Sequence, residues 1–326
     1  MDSPTLHEPR PLGVEDAPEI ARLVEACDIE AIGRPDYTVD ELEADLRSTD
    51  VLHLGWYDER GLLGYGWLDH AEGSEKVRLD LYPRPGADPS LGEAAMAHLE
   101  ERAARLVAAA GFDEVFLDVG AYRQDARSRS LLQARGFEVA TSFVRMRLDL
   151  RTPAGEADPA ATGERAVVPG VDIAEVPVDA GGEADLRAAQ RVNETALVEH
   201  YAHVGEPYDK WRARLTEVGP DWSRVWLARL DGEPVGLLLG TRQFEPDEDA
   251  GYVRNLAVLP SARGRGIATA LLRTYFAVSA AAGRSAVLLH VDVANTTKAL
   301  RLYESVGMRA FLTIDAWAKR SPTTSD

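Results

Sequence analysis

Short segments in which hydrophobic and polar residues alternate are spread along this chain, and longer segments between them repeat every three to four residues. The first pattern is typical of β-strands and the second of amphipathic helices. In the first half the patterns predict one hairpin, three further strands and two helices. The hairpin covers 51–70, the strands cover 76–83, 113–120 and 137–150, and the helices cover 90–111 and 125–136.

From its hairpin onward, the second half repeats the same order of elements. Helices are predicted over 185–205, 207–219, 267–282 and 295–307, a hairpin over 224–244, and strands over 251–260, 285–293 and 308–320. Between the halves, 151–170 is rich in Pro, Gly, Ala and charge and has no apolar period, which is typical of a linker. The repeated order indicates an internal duplication. We therefore predict an α/β fold with two tandem domains, residues 1–150 and 171–326, each a mixed sheet flanked by helices.

Composition narrows the function classes. The 326 residues are 45% hydrophobic and 28% charged, with a formal net charge of -18, so binding to nucleic-acid phosphates is not expected. Cys27 is the only cysteine, which excludes a disulfide framework and disfavours a cysteine metal site; no metal site is predicted. With no apolar run of membrane length and no visible signal segment, we expect a cytoplasmic protein that does not bind membranes, either a monomer or a homodimer.

One candidate site lies in the segment "RGRGIA", residues 263–268, between a predicted strand end and a predicted helix start. Consecutive backbone N–H groups at a helix N-terminus form an anion site. Gly264 and Gly266 lack a Cβ that would keep a phosphate away, and Arg263 and Arg265 add positive charge. The same small residues would also permit tight packing between strand and helix.

Two residues further along complete a possible site. Asn295 follows the strand 285–293 at a position typical of a helix cap. Tyr303 lies eight residues later, about two turns along the same helix face. Taken singly, Asn295 is compatible with a simple cap and Tyr303 with a packed aromatic side chain.

Together these motifs resemble the GNAT family of N-acetyltransferases. The family's phosphate-binding signature is matched by Arg263, Gly266 and Ala268, and its second signature by "NTTKALRLYESVGM". The motifs cover about 251–308 directly, and the strand order extends the resemblance over about 171–320. The resemblance implies two GNAT-like domains in tandem and acetyl-CoA as co-substrate of a small-molecule amine acceptor.

The resemblance also implies roles for individual residues. The acceptor amine would attack the thioester directly, Tyr303 would protonate the leaving thiolate, and the pantetheine arm would pair with the strand edge at 256–258. The residues expected to bind acetyl-CoA are Leu256, Ala257, Val258, Arg263, Gly264, Arg265, Gly266, Ile267, Ala268, Thr269, Asn295 and Lys298.

The general base is left open. Many relatives place a Glu on the strand before the phosphate loop, but 252–255 here is Tyr-Val-Arg-Asn. The remaining candidates are His290, Asp292, Glu199, His200, His203 or a chain of water molecules. We assign His290, because it lies on the neighbouring strand and histidine titrates near neutral pH. A half-buried histidine of the sheet is the alternative.

The first half departs from the phosphate signature. The corresponding positions hold Ala87 and Ser90, and Pro89 removes one N–H donor, although Gly92 is retained. Leu132 replaces the tyrosine and Asp125 replaces the asparagine. We therefore predict a degenerate first domain that does not bind CoA, packs against the second and forms a wall of the acceptor pocket.

The acceptor itself is not specified by the sequence. Mycothiol synthases, which acetylate the cysteinyl amine of a pseudodisaccharide, resemble this tandem architecture, but the strand Glu that they use has no match here. A non-catalytic acyl-CoA-binding or sensor protein is the other alternative.

Overall fold

The computed structural model describes residues 8–36, 39–48, 51–70, 73–152, 158, 168–198, 205–216, 219, 222–292 and 299–323. Over these residues the strands are β1 Arg10–Pro11, β2 Val51–Asp58, β3 Gly61–His70, β4 Lys76–Pro83, β5 Glu114–Tyr122, β6 Glu138–Asp149, β7 Val171–Val176, β8 Ser223–Leu230, β9 Glu233–Thr241, β10 Ala250–Val258, β11 Ala286–Asp292 and β12 Arg309–Pro322. The α-helices are α1 Ala17–Ile32, α2 Val39–Leu46, α3 Pro89–Ala109, α4 Ala126–Ala134, α5 Glu183–Leu197, α6 Tyr208–Arg214, α7 Glu245–Glu248, α8 Ile267–Ala281 and α9 Ala299–Ser305.

The chain forms two compact units, and each takes a strand segment from the other half of the sequence. The first unit comprises 1–143 and 312–326, and the second comprises 144–311. These limits differ from the predicted domains because alternating apolar residues of β6 are buried in the core of the second unit. In the same way, Trp317 of β12 is buried in the core of the first unit.

In the first unit the strand order is β1-β2-β3-β4-β5-β12. Neighbouring strands are antiparallel except β4 and β5, which are parallel and pair only from Lys76–Arg78 to Phe116–Asp118. Helix α3 packs its apolar face, including Met96 and Leu99, against this sheet. The apolar residues of α3 recur every three to four positions, as the sequence pattern predicted.

The second unit has the order β6-β11-β10-β9-β8-β7, in which β10 and β11 are parallel and the pairs β9–β10, β8–β9 and β7–β8 are antiparallel. Helix α8 packs closely on this sheet. A Cβ on Gly240 would overlap the ring of Tyr275, and one on Gly251 would lie 2.8 Å from the Tyr275 hydroxyl. The glycines therefore allow the ring to lie directly on the strands.

The predicted fold class is confirmed, and both hairpins and the long helices lie close to their predicted limits. Helices α1 and α2 and strands β1 and β7 had no individual prediction. Most of the predicted linker, and the ends of the predicted helices 185–205 and 295–307, lie outside the described residues. In the described part of the chain, no helix is both long and apolar enough to cross a membrane.

Candidate functional site

The two parallel strands of the second unit separate part-way along their length. β10 pairs with β11 from Ala250 opposite Ala286 to Val253 opposite Leu289, and the pairing then stops although both strands continue. A bulge between Val253 and Asn255 interrupts the β9–β10 register at the same place. Bulges of this kind bend a strand and are frequent beside active sites. We call the point of separation the strand fork.

Beyond the strand fork, one edge of β10 is open to a ligand. Leu256, Ala257 and Val258 pair with β9 on one side and have no strand partner on the other in the described structure. Ala257 is buried, whereas Leu256 and Val258 are half-buried. An edge with unpaired N–H and C=O groups can pair with an extended amide-containing chain. The predicted pantetheine positions therefore lie at such an edge.

The glycine loop that follows has the geometry of an anion site. Gly264 and Gly266 have φ values of 78° and 80°, a conformation that favours glycine, and Gly266 is the N-cap of α8. Residues 263–266 are exposed, and no described group accepts from the N–H groups of 264–269. Donors at the positive end of a 15-residue helix are thus left for an anion.

The residues around this loop hold it against the unit. Arg263 donates from Nε to the Val258 carbonyl at 3.2 Å and from a terminal nitrogen to the Ala196 carbonyl at 3.3 Å. Ile267 is buried in the core, whereas Ala268 and Thr269 are half-buried in the first turn of α8. Arg265 is exposed. These contacts therefore hold the loop against the second unit, and its backbone N–H groups remain accessible.

Tyr303 lies on α9 and packs against the core of the second unit. Burial raises the pKa of Tyr303 to about 12. The hydroxyl therefore keeps its proton at neutral pH and can offer a hydrogen bond or a proton to a leaving group. The predicted Asn295 and Lys298 lie outside the described residues.

His290 is held between two hydrogen-bonding side chains. Its Nε2 lies 2.9 Å from Nε of Arg145, and its Nδ1 lies 3.0 Å from the hydroxyl of Tyr252. Burial and the Arg145 charge lower the pKa of His290 to about 3. A histidine with both ring nitrogens engaged and so low a pKa is poorly suited to accept a proton at neutral pH.

Sequence reasoning did not identify Arg145 or Tyr252 as parts of this site. Arg145 precedes His290 by 145 positions and belongs to the other half of the sequence, so no local motif connects them. Of the other base candidates, Asp292 is buried at the end of β11. Glu199, His200 and His203 lie outside the described residues.

The first unit has a similar separation of β4 and β5 but a different loop. Asp88 caps α3 and accepts from the backbone N–H of Ser90, and Pro89 supplies no donor. Arg127 donates to the carbonyls of Pro83, Arg84 and Ala87. Side chains of the protein itself thus occupy the region in which backbone N–H groups would have to bind a phosphate.

The model of the Acetyltransferase (GNAT) family matches residues 189–308, the segment that contains the strand fork and the glycine loop. This segment is therefore similar to members of the GNAT family. Among curated proteins, the mycothiol acetyltransferase of Beutenbergia cavernae is 34% identical over 128 residues, and that of Thermomonospora curvata is 34% identical over 127 residues. Each match covers 39% of this chain and about two fifths, 42% and 41%, of the relative.

Solved structures resemble the chain over nearly all of its length. A GCN5-related N-acetyltransferase from Sphaerobacter thermophilus has a TM-score of 0.77 at 21% identity and covers 98% of this chain and 96% of its own. A tandem GNAT protein from the clavulanic acid biosynthesis pathway has a TM-score of 0.75 at 16% identity, with coverages of 98% and 99%. At these identities the likeness shows the fold alone, and that fold is similar to the folds of these two proteins.

Proposed function

We propose that the second unit transfers the acetyl group of acetyl-CoA to a primary amine of a small molecule. The observation that carries this proposal is the glycine loop, whose accessible N–H groups have no described acceptor and follow an open strand edge. The diphosphate would bind the N–H groups of 264–269, with Arg263 and Arg265 beside it. The pantetheine arm would extend along 256–258 towards the strand fork.

The transfer then requires one bond to form and one to break. The amine nitrogen attacks the thioester carbonyl, the C–N bond forms and the C–S bond breaks, and the amine loses a proton. Tyr303, which is neutral at pH 7, donates its proton to the departing thiolate and is reprotonated from solvent. Holding the amine and the thioester in the right orientation at the strand fork accounts for much of the rate acceleration.

We propose that His290 positions groups at this site and that the amine gives its proton to water. The low pKa of His290 supports this assignment over the role of base that the sequence suggested. The first unit has Asp88 and Arg127 in place of a phosphate site, which supports a role without CoA.

A second candidate is acetylation of an aminoacyl pseudodisaccharide of the mycothiol type. The 34% identity to two mycothiol acetyltransferases favours it, although those matches span about two fifths of each relative. It uses the same site and mechanism and differs only in the acceptor. Comparing the purified cysteinyl pseudodisaccharide with simple amines under identical conditions separates the two candidates.

The proposed function is tested by a thiol-release assay with acetyl-CoA and a panel of small amines, the cysteinyl pseudodisaccharide included. We expect amine-dependent release of CoA and a product heavier by one acetyl group in mass spectrometry. Calorimetry with CoA gives the binding stoichiometry independently of turnover. Binding without turnover of any amine would favour the acyl-CoA-binding sensor, and no binding of CoA would exclude both enzyme and sensor.

A further inference from the structure

Arg145, His290 and Tyr252 form a chain of hydrogen bonds that ends at the strand fork. Arg145 is 5% exposed, and its guanidinium lies over the ring of Phe244 at 4.8 Å and near that of Phe311 at 6.0 Å. These aromatic contacts and burial restrict the side chain, so that Nε points at the imidazole of His290. The arrangement joins β6, β11 and β10 of the second unit.

The direction of each hydrogen bond in this chain follows from its donor groups. A guanidinium nitrogen can only donate, so the Nε2 of His290 must be the acceptor and carry no proton. A neutral imidazole has one N–H, which must then be on Nδ1 and donate to the Tyr252 oxygen. Tyr252 therefore has its own O–H free to donate elsewhere, and His290 is its only described hydroxyl partner.

In the opposite tautomer, the site would offer a ligand a hydrogen-bond acceptor in place of a donor. With the proton on Nε2, Tyr252 would donate to Nδ1 and present only lone pairs. That tautomer would also place an N–H of His290 against an N–H of Arg145. The arginine thus determines whether Tyr252 acts as a donor or an acceptor.

The position of Tyr252 connects this chain to the reacting groups. Tyr252 is paired with Leu288 one residue before the last pair of the strand fork, and His290 is the first residue of β11 beyond that pair. Tyr252 therefore lies at the strand fork, where the proposed function also places the transfer of the acetyl group.

We propose that Arg145 is a positioning residue that holds His290 as the Nδ1–H tautomer, so that Tyr252 donates its O–H to an oxygen of the acceptor. The acceptor class that fits is an amine with an oxygen lone pair two or three bonds away, as in an amino alcohol, an aminoacyl group or an amino sugar. This inference rests on the proposed function for the acceptor, whereas the tautomer belongs to the free protein.

The tautomer is tested by nitrogen NMR of protein labelled at its histidines, at pH 7 and without ligand. His290 is assigned by its loss in His290→Gln. We expect a protonated-type shift for Nδ1 and an unprotonated shift for Nε2. Arg145→Met should move the proton to Nε2, whereas Arg145→Lys should keep it on Nδ1. Arg147→Met, two residues further along β6, is the control and should leave the shifts of His290 unchanged. An Nε2–H tautomer in the unaltered protein would overturn the proposal whether or not the protein is an acetyltransferase.

The preference for an oxygen is tested with two amines of similar size, 2-methoxyethylamine and n-butylamine, with kcat/KM expressed per free base. We expect the ether amine to be favoured roughly tenfold, mainly through KM, because one hydrogen bond to a buried donor is involved. Tyr252→Phe and Arg145→Met should each reduce the ratio to about one without changing CoA affinity. A ratio that is unchanged in Tyr252→Phe would overturn the assignment of Tyr252.

Discussion

The carboxylate of Asp88 accepts a hydrogen bond of 2.9 Å from the backbone N–H of Ser90, at the start of α3. The corresponding place in the second unit is the start of α8, where Gly266 is the N-cap and no side chain caps the helix. An N-cap carboxylate occupies the donors that an anion would use and repels a phosphate. Two similar strand-loop-helix connections thus differ in the feature on which the proposed binding of CoA depends.

Alanine at the two glycines provides a matched comparison of the units. In Gly266→Ala, the added Cβ lies in the phosphate cradle at a φ of 80°, so we expect CoA to bind at least about tenfold more weakly. Gly92→Ala adds a Cβ at ordinary contact distance from Leu131 and should leave CoA affinity unchanged. Calorimetry on both variants, with urea unfolding to check stability, decides this. Two CoA molecules per chain in the unaltered protein would contradict the assignment.

Removing the Tyr303 hydroxyl should affect turnover and leave binding intact. We expect Tyr303→Phe to lower kcat by about 10²-fold, because a neutral proton donor for the thiolate is lost while the packed ring is retained. The CoA dissociation constant measured by calorimetry should remain within about twofold. Equal kcat values for the two proteins with several amines would remove the acid role.

His290 makes stability depend on pH in the acid range. Its pKa is about 3 when folded and 6.5 ordinarily, so between these values the unfolded chain binds a proton that the folded chain does not. The free energy of unfolding contributed by this group therefore falls as pH decreases from about 6.5 to about 3, by at most ~1.4 kcal/mol per pH unit. Urea unfolding of the unaltered protein and of His290→Gln should show a shallower loss in the variant.

Asp80 of the first unit should have the opposite effect on the pH dependence of stability. Burial, with a contribution from the charge of Asp28, raises its pKa from 3.8 to about 7. Between these values the folded chain binds a proton that the unfolded chain does not, so stability falls as pH rises through the window. Asp80→Asn retains an acceptor for the Leu81 N–H, which Asp80 binds at 2.8 Å.

We therefore expect Asp80→Asn to raise the melting temperature relative to the unaltered protein near pH 8 and to have little effect near pH 4. Thermal unfolding at both values tests this. A variant that is less stable at the higher pH would show that the charged carboxylate stabilises the first unit.

The sequence predicted the elements well because alternation and helical period are local properties. Strand β4 has its predicted limits, 76–83, and α8 begins at the predicted Ile267. The glycine loop was also predicted, because its residue types lie within six consecutive positions. Its free N–H groups in the described structure agree with the geometry expected from those residues.

The sequence could not predict which unit would bury β6 and β12. The alternating residues of 144–150 fit one face of any sheet, and only the core that they enter distinguishes the two units. For the same reason Arg145 could not be associated with His290. The cap by Asp88 was also not predicted, although the loss of donors at Pro89 was.

The placement of β12 affects how the protein is made. Residues 312–323 follow the whole second unit in the sequence, yet Trp317 belongs to the core of the first. During translation the core of the first unit therefore stays incomplete until the whole of the second unit has been synthesised. A nascent chain that has not yet reached Trp317 therefore lacks a side chain of the first core, although all residues of the second unit, 144–311, have already been synthesised.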